Sequence, residues 1–293
     1  MSWLQLRLVV PAPRVEAAEE ALFALGAVSV TLLDAGDTPI HEPDPGQTPL
    51  WPVSMVQALF ESGSERAGLL QSLESAGLID SPDAVDFSTL ADQDWERVWM
   101  DRFQPMRFGR DLWICPSHMT PEPDWPVVIR LDPGLAFGTG THPTTALCLE
   151  WVDGQEFPGS VVIDYGCGSG VLAIAAALKG AARVIAIDHD PQALEATGAN
   201  ARANGVDDRL EILAPEDTPQ VQADVLLANI LAAPLVTLAP RLTDLVCPGG
   251  WLVMSGMLAE QESTVAACYE TAFEDFEHYR REDWAAVACR RRA

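Results

Sequence analysis

Residues 161–188 read Val-Val-Ile-Asp-Tyr-Gly-Cys-Gly-Ser-Gly-Val-Leu-Ala-Ile-Ala-Ala-Ala-Leu-Lys-Gly-Ala-Ala-Arg-Val-Ile-Ala-Ile-Asp. An apolar strand, Val161 to Ile163, runs into Asp164 and then into three glycines at alternate positions, Gly166, Gly168 and Gly170. An alanine-rich helix follows, and a second apolar strand, Val184 to Ile187, stops at Asp188. This order is a β-α-β nucleotide-binding unit. Glycines are required where the backbone turns sharply and admits a ligand at close range. The acid closing the second strand stands where a carboxylate accepts both ribose hydroxyl protons.

The spacing selects among nucleosides. A dinucleotide site carries Gly-x-Gly-x-x-Gly with a helix N-terminus facing pyrophosphate. Here the pattern is Asp-x-Gly-x-Gly-x-Gly, with the Asp164 carboxylate two residues before the first glycine. A negative charge there repels pyrophosphate and suits the ammonium and sulfonium of S-adenosylmethionine. The pattern resembles the first motif of class I methyltransferases. An NAD-dependent oxidoreductase would need another glycine spacing and a hydride-transfer partner, and neither is present.

Composition narrows the function classes further. The chain has 293 residues, 48% of them hydrophobic, enough for one large domain or two ordinary ones. No stretch is long and apolar enough to span a bilayer. The start, Met-Ser-Trp-Leu-Gln-Leu-Arg, lacks the features of a secretory signal. Six scattered cysteines without a Cys-x-x-Cys pair argue against zinc or a disulfide framework and suit a reducing cytosol. No metal is expected. A formal charge of −25 disfavours nucleic acid; it serves solubility or attraction of a basic partner. The one lysine, Lys179, among 18 basic residues reflects genome composition more simply than avoidance of self-methylation.

The first hundred residues hold no nucleotide motif but show strand and helix periodicities. Strands are predicted at Trp3–Val10, Ala27–Leu33, Val53–Phe60 and Ala84–Thr89, and helices at Arg14–Leu25 and Glu65–Ala76, with a Pro/Asp/Gly-rich loop over Asp34–Pro49. The order β-α-β-β-α-β predicts a small α+β, ferredoxin-like domain over residues 1–95. The first hundred residues carry 16 acidic and 4 basic side chains, so this domain should attract a cationic partner. Residues 96–126 read as linker and connector helix, with Trp95, Trp99 and Phe103 forming an aromatic stripe. Leu112–Cys115 and Val127–Arg130 are candidate strands leading into a domain over 127–293.

There, helices are predicted at Thr144–Asp153, 170–180, Pro191–Asn204, Leu235–Val246 and Ala259–Phe273. Strands are predicted at 161–164, 184–188, Leu210–Leu213, Val225–Ile230, Trp251–Ser255, 276–282 and 285–291. The fold class is therefore α/β, a Rossmann-like, mostly parallel sheet closed by an antiparallel C-terminal hairpin.

Two further segments carry chemistry. Residues 131–145, Leu-Asp-Pro-Gly-Leu-Ala-Phe-Gly-Thr-Gly-Thr-His-Pro-Thr-Thr, precede the first sheet strand and are placed to fold over a cofactor pocket. Gly134, Gly138 and Gly140 permit a tight course, and Pro143 fits the first turn of the next helix. Thr144 and Thr145 offer hydroxyls and N–H groups to the carboxylate end of the cofactor. His142 reads as a helix cap, with base or ligand as the alternative, and Phe137 lines the methyl channel or belongs to the core. A phosphate-loop reading fails for want of Gly-Lys-Ser/Thr. Residues 223–232, Ala-Asp-Val-Leu-Leu-Ala-Asn-Ile-Leu-Ala, end a strand at Asn229. Its side-chain carbonyl and a neighbouring backbone carbonyl can accept two hydrogen bonds from an amine, holding the lone pair toward the methyl group; the alternative is a helix cap. Ile230, Leu231 and Ala232 stand where many nitrogen methyltransferases have Pro-Pro-Tyr, which favours a flexible aliphatic amine over a planar base. Asp217, or equally Glu216, is positioned to meet the adenine amino group.

These segments together, with Trp95-Glu-Arg-Val-Trp-Met-Asp and Pro105-Met-Arg-Phe-Gly, resemble the ribosomal protein L-eleven methyltransferases, the PrmA family, over the whole chain. The resemblance implies an S-adenosylmethionine-dependent enzyme methylating lysine side chains and the N-terminal amine of ribosomal protein L-eleven. It implies a small N-terminal domain that recognises that substrate, joined by a mobile linker to the catalytic domain. Its cofactor contacts fall on Thr145, Gly166, Asp188 and Asn229; Asp164, Gly168, Gly170, Thr144 and Asp217 join them from the reading above. Asn229, Ile230 and Phe137 are the expected catalytic positions. A cytoplasmic monomer without membrane or nucleic-acid contacts is the accompanying expectation. The alternatives are a methyltransferase of another basic protein, RNA or a small amine, or a non-catalytic cofactor-binding ribosome-assembly adaptor.

Overall fold

A computed structural model describes residues 2–36, 49–91, 103–132 and 137–293. The chain divides into two compact units, residues 1–95 and 96–293. The Trp95/Trp99 part of the aromatic stripe, most of the Asp34–Pro49 loop and Gly134 lie outside the described residues.

The first unit runs β1 (Ser2–Pro11), α1 (Val15–Ala24), β2 (Ser29–Asp34), β3 (Val53–Glu61), α2 (Arg66–Ser75) and β4 (Val85–Ala91). Its sheet has the order β2-β3-β1-β4 with every pairing antiparallel. The period of two in β1 puts Leu4, Leu6, Leu8 and Val10 on one face. There they pack with Val56, Ala58 and Phe60 of β3 against Val15, Ala18 and Leu22 of α1 and Leu69 and Leu73 of α2. The opposite face carries Arg7, whose Nε donates to Gln57 Oε1 at 3.1 Å, and the exposed Val9 and Val53.

The second unit opens with a three-stranded sheet of β5 (Met106–Phe108), β6 (Leu112–Cys115) and β7 (Val127–Arg130). β5 and β6 therefore stand inside this unit, in a stretch read from sequence as linker. The turn joining them is fixed by Asp153, which accepts the N–H groups of Arg110 and Asp111 at 2.5 and 3.1 Å. Then follow α3 (Pro143–Asp153), β8 (Val161–Tyr165), α4 (Val171–Leu178), β9 (Arg183–Ile187), α5 (Pro191–Ala203), β10 (Leu210–Leu213) and β11 (Ala223–Asn229). The chain closes with α6 (Ala232–Thr237), α7 (Ala239–Leu245), β12 (Val246–Leu258), α8 (Glu262–Ala267), β13 (Phe273–Arg281) and β14 (Trp284–Arg291).

These strands build one seven-stranded sheet of order β10-β9-β8-β11-β12-β14-β13. It is parallel from β10 to β12 and antiparallel through β14 and β13. Both faces are covered, so the middles of the central strands are apolar. Val162, Val184 and Ala186 pack on one side with α3 and α4, while Ile163, Ile185 and Ile187 pack on the other with α6 and α7. The single lysine, Lys179, caps α4 from a buried position, its Nζ donating to the Asp153 carbonyl at 3.0 Å. Among the described residues no helix is long and apolar enough to cross a membrane.

Three expectations need correction. The predicted helix 235–246 is two short helices, because Leu238 leaves helical geometry and Pro240 brings no N–H to bridge the break. The predicted helix 259–273 is helical only over Glu262–Ala267, since Tyr269 and Phe273 turn into the core and Tyr269 Oη donates to the Leu235 carbonyl at 2.7 Å. β12 starts at Val246 rather than Trp251, Val246 pairing with Ala223 ahead of a register shift.

Candidate active site

The sheet order creates a switch point. From β8 the chain builds outward through β9 and β10, then returns to the other side of β8 with β11. Ligands in open α/β sheets sit outside the carboxyl ends at such a point. Asp164 near the end of β8, Asp188 after β9 and Asn229 at the end of β11 are brought there together.

The glycine turn is bound to the end of β9. Gly166 and Cys167 donate their N–H groups to the Ile187 carbonyl at 2.8 and 3.0 Å. Gly168 donates to Asp188 Oδ2 at 2.9 Å, and Asp190 donates to Asp188 Oδ1 at 3.0 Å, so the buried Asp188 carboxylate is held in one orientation. The glycines answer to crowding as well as to backbone angle. Gly168 has φ +54°, and a Cβ there would stand 2.5 Å from the Phe137 carbonyl oxygen. A Cβ at Gly166 would collide with Ile230 Cγ2, which puts Ile230 directly against the turn. Gly170 caps α4.

Ser169 was not singled out in the sequence, yet it fastens the 131–145 loop to this turn. Its N–H donates to the Phe137 carbonyl at 2.8 Å and its hydroxyl to the Gly138 carbonyl at 2.6 Å. Asn200 Nδ2 in turn donates to the Ser169 carbonyl at 2.8 Å, and the Thr197 hydroxyl to the Gly168 carbonyl at 3.0 Å. The available signal was a small hydroxyl between two glycines. Phe137, so fastened, is 59% exposed, and its ring lies 5.4 Å from that of His142.

Asp164 is wholly buried. Its Oδ2 accepts the Ala173 N–H at 2.9 Å, while Oδ1 has no hydrogen-bond partner. Burial, with a smaller push from the Asp188 charge, raises its pKa to about 7 against the opposing pull of the Ala173 N–H. Such a group is costly to ionise alone and favours a cation beside it.

Asn229 and Thr145 meet. Asn229 Nδ2 donates to the buried Thr145 hydroxyl at 3.1 Å, and Asn229 Oδ1 is buried with no partner. Ile230 N–H is used by the Ser255 carbonyl at 3.1 Å. Thr144 departs from its expected use: its hydroxyl lies 2.8 Å from His142 Nδ1, which also accepts the Thr144 N–H at 3.4 Å. His142 is therefore the cap of α3, and its ring also packs edge-on to Trp284 at 4.6 Å. Asp217 and Glu216 both lie exposed in a short turn, Pro215–Asp217, beyond β10, and neither makes a hydrogen bond to the residues above. Among the described residues no group of three His, Cys, Asp or Glu side chains is arranged to hold a metal ion.

The family profile described as ribosomal protein L11 methyltransferase (PrmA) matches residues 2–292. Proteins named ribosomal protein L11 methyltransferase from Pseudomonas aeruginosa (strain LESB58) and Pseudomonas fluorescens (strain SBW25) are 57% and 54% identical over 295 residues, each alignment covering all of both chains. A crystal structure of a ribosomal protein L11 methylase from Lactobacillus delbrueckii subsp. bulgaricus superposes with a TM-score of 0.59 at 32% identity, covering 65% of this chain and 100% of that one. The glycine turn, the 131–145 loop and the Asn-Ile-Leu strand end thus sit in a chain that belongs to the PrmA family of ribosomal protein L11 methyltransferases.

Proposed function

We propose that this chain transfers methyl groups from S-adenosylmethionine to amines of ribosomal protein L11, its lysine side chains and its N-terminal amine, in the cytoplasm and as a monomer. The observation that carries the reading is Asn229: its amide N–H is spent on Thr145, and its carbonyl is buried without a partner. A buried polar atom left unpaired is costly in a folded protein, so such an atom at a strand end marks a place for a donor. An amine is the donor that fits the chemistry.

The residues present also suit the cofactor. Asp164 Oδ1 is a second buried acceptor without a partner, and the turn at Gly166 and Gly168 admits no Cβ. Asp188, held by two backbone N–H groups, keeps lone pairs for ribose hydroxyls. Thr145, Gly166, Gly168, Gly170 and Asp164 would frame the cofactor, Asp217 or Glu216 would reach the adenine, and Thr144 would contribute through its backbone and its bond to His142. When bound, S-adenosylmethionine supplies a sulfonium-activated methyl group open to direct displacement by an amine.

The chain's own residues position the acceptor. Asn229 Oδ1 takes a hydrogen bond from the amine and turns its lone pair toward the methyl group. A lysine amine is ordinarily protonated below a pKa of about 10.4, and losing water between Phe137 and Ile230 favours its neutral form. With no strong base at Asn229, water carries the proton away, and catalysis rests on orientation. The first unit, residues 1–95, is assigned to substrate recognition; its 15 acidic and 3 basic residues suit a basic ribosomal protein. The test is transfer of tritiated methyl from S-adenosylmethionine to purified ribosomal proteins, with intact ribosomes and bare ribosomal RNA alongside. Label in L11 alone supports the reading; label only in RNA, or none, overturns it.

A further inference from the structure

Among the described residues of the second unit, the large apolar side chains exposed to water are Phe137, Leu231 and Val236, at 59%, 53% and 38%. Scattered single exposures need no explanation, but Leu231 and Val236 share one short helix and its cap, and Phe137 and Ile230 both stand against the glycine turn. Phe137 is fastened to the glycine turn through Ser169, Leu231 is two residues beyond Asn229, and Val236 lies on α6, which Leu231 caps. Val236 opens onto a groove of about 460 Å³ between α6 and α8, lined by Ala233, Glu260, Thr264 and Val265. The two helices pack on β12 and β14, which lie beyond β11 from β8 and β9, so the groove stands away from the positions assigned to the cofactor. The turn beneath it is ordered, the Leu258 N–H donating to Gln261 Oε1 at 2.8 Å.

We infer that this groove carries the stretch of methyl-acceptor polypeptide flanking the reacting amine, with a cationic side chain of that stretch over Glu260. The inference rests on the acceptor reading of Asn229. Continuity supports it: an amine held at Asn229 brings its own backbone out past Leu231, and the apolar path from there leads along Val236 into the groove. Size supports it too, since the exposed Ala233 and Thr264 leave room for an extended chain rather than closing on a helix. Charge selects the occupant. Glu260 is the one charged side chain lining the groove, and it has no ion-pair partner among the described residues. A second copy of this chain carries a net charge of −25 and is repelled overall, whereas a basic polypeptide is drawn to Glu260.

The test uses the full chain with purified ribosomal protein L11 as acceptor. Ala233→Trp fills the groove from an exposed position, and Glu260→Lys reverses its charge. Both should raise KM for the protein acceptor by roughly tenfold, leaving kcat at saturating acceptor and the affinity for S-adenosylmethionine unchanged. Glu260→Lys should also flatten the dependence of KM on salt. An unmodified chain that methylates L11, with both variants matching its KM, overturns the groove while leaving the acceptor reading intact. No transfer by the unmodified chain overturns both. Sedimentation of the unmodified chain as a dimer, and of Ala233→Trp as a monomer, gives the groove to a second copy and also overturns the inference.

Discussion

The two larger sheets of this molecule solve different problems. In the second unit, five parallel strands all end at one edge, so a residue placed at each strand end reaches a common point: Asp164, Asp188 and Asn229 come from positions 65 residues apart in sequence. In the first unit every pairing is antiparallel, neighbouring strand ends point to opposite edges, and no such convergence arises. What that sheet offers instead is a face. Helices cover one side, while Arg7, Val9, Gln57 and Val53 occupy the other. A parallel sheet gathers residues to a point; this antiparallel one spreads them over a face.

The sharpest way to break that contrast is at Asn229. Asn229→Ala should lower the single-turnover rate by about a hundredfold, because orientation of the amine is lost. Cofactor affinity measured by calorimetry should change far less. Unchanged turnover would remove Asn229 from the acceptor site. Next in size is Asp188→Ala, which removes a charged hydrogen-bonding partner and should weaken S-adenosylmethionine binding by roughly thirtyfold. A Kd within twofold of the unaltered chain would show that the converging strand ends do not bind the ribose.

Asp164 gives a smaller, pH-dependent effect. Its carboxyl is raised to about 7 in the folded chain, above its ordinary value, so below pH 7 it is protonated and no longer favours a cation. S-adenosylmethionine Kd should therefore rise as pH falls from 8 to 6, by up to about tenfold per unit below the pKa. Asp164→Asn should abolish that slope. The sign for stability runs the other way. For a carboxyl raised on folding, the folded state holds the proton more tightly, so its contribution is full below the ordinary pKa and lost as pH climbs through 7. The ligand-free Asp164→Asn chain should accordingly melt a few degrees higher than the unaltered one at pH 8, read by calorimetry. A slope that survives the substitution would assign the titration elsewhere.

The mildest perturbation belongs to the first unit. Val9→Ser with Val53→Ser should raise KM for ribosomal protein L11 about threefold, and leave cofactor Kd untouched. A change in cofactor Kd would mean that the two sheets do not divide the work as their topologies suggest.

The features legible in the sequence were those whose cause is local. Alternation in Trp3–Val10 and the apolar run before Asp164 each report a strand buried on one or both faces, and the glycine spacing reports a turn with no room for Cβ. Asn229 and Asp188 were legible because strand ends are marked by the change from apolar to polar. Features with a distant cause were not. Met106–Phe108 is three residues long, too short for any period, and is a strand only because Leu112–Ile114 pairs with it. Val246 reads as the last residue of a helix until Ala223 is beside it. The helix after residue 259 stops early because Tyr269 is anchored to Leu235, a contact that no window of local sequence contains. Ser169 is the same lesson within the site, since its partners Phe137 and Gly138 are about thirty residues upstream.

The burial of Lys179 has a practical meaning for anyone who handles this enzyme. With its one ε-amine closed in behind Asp153, the folded chain shows amine-directed reagents no exposed lysine side chain. Activated-ester dyes and bifunctional amine cross-linkers will read the lysines of a bound partner against a nearly blank background. The catalyst is equally invisible to its own reaction at that position, so label appearing on lysine in a transfer assay belongs to the acceptor.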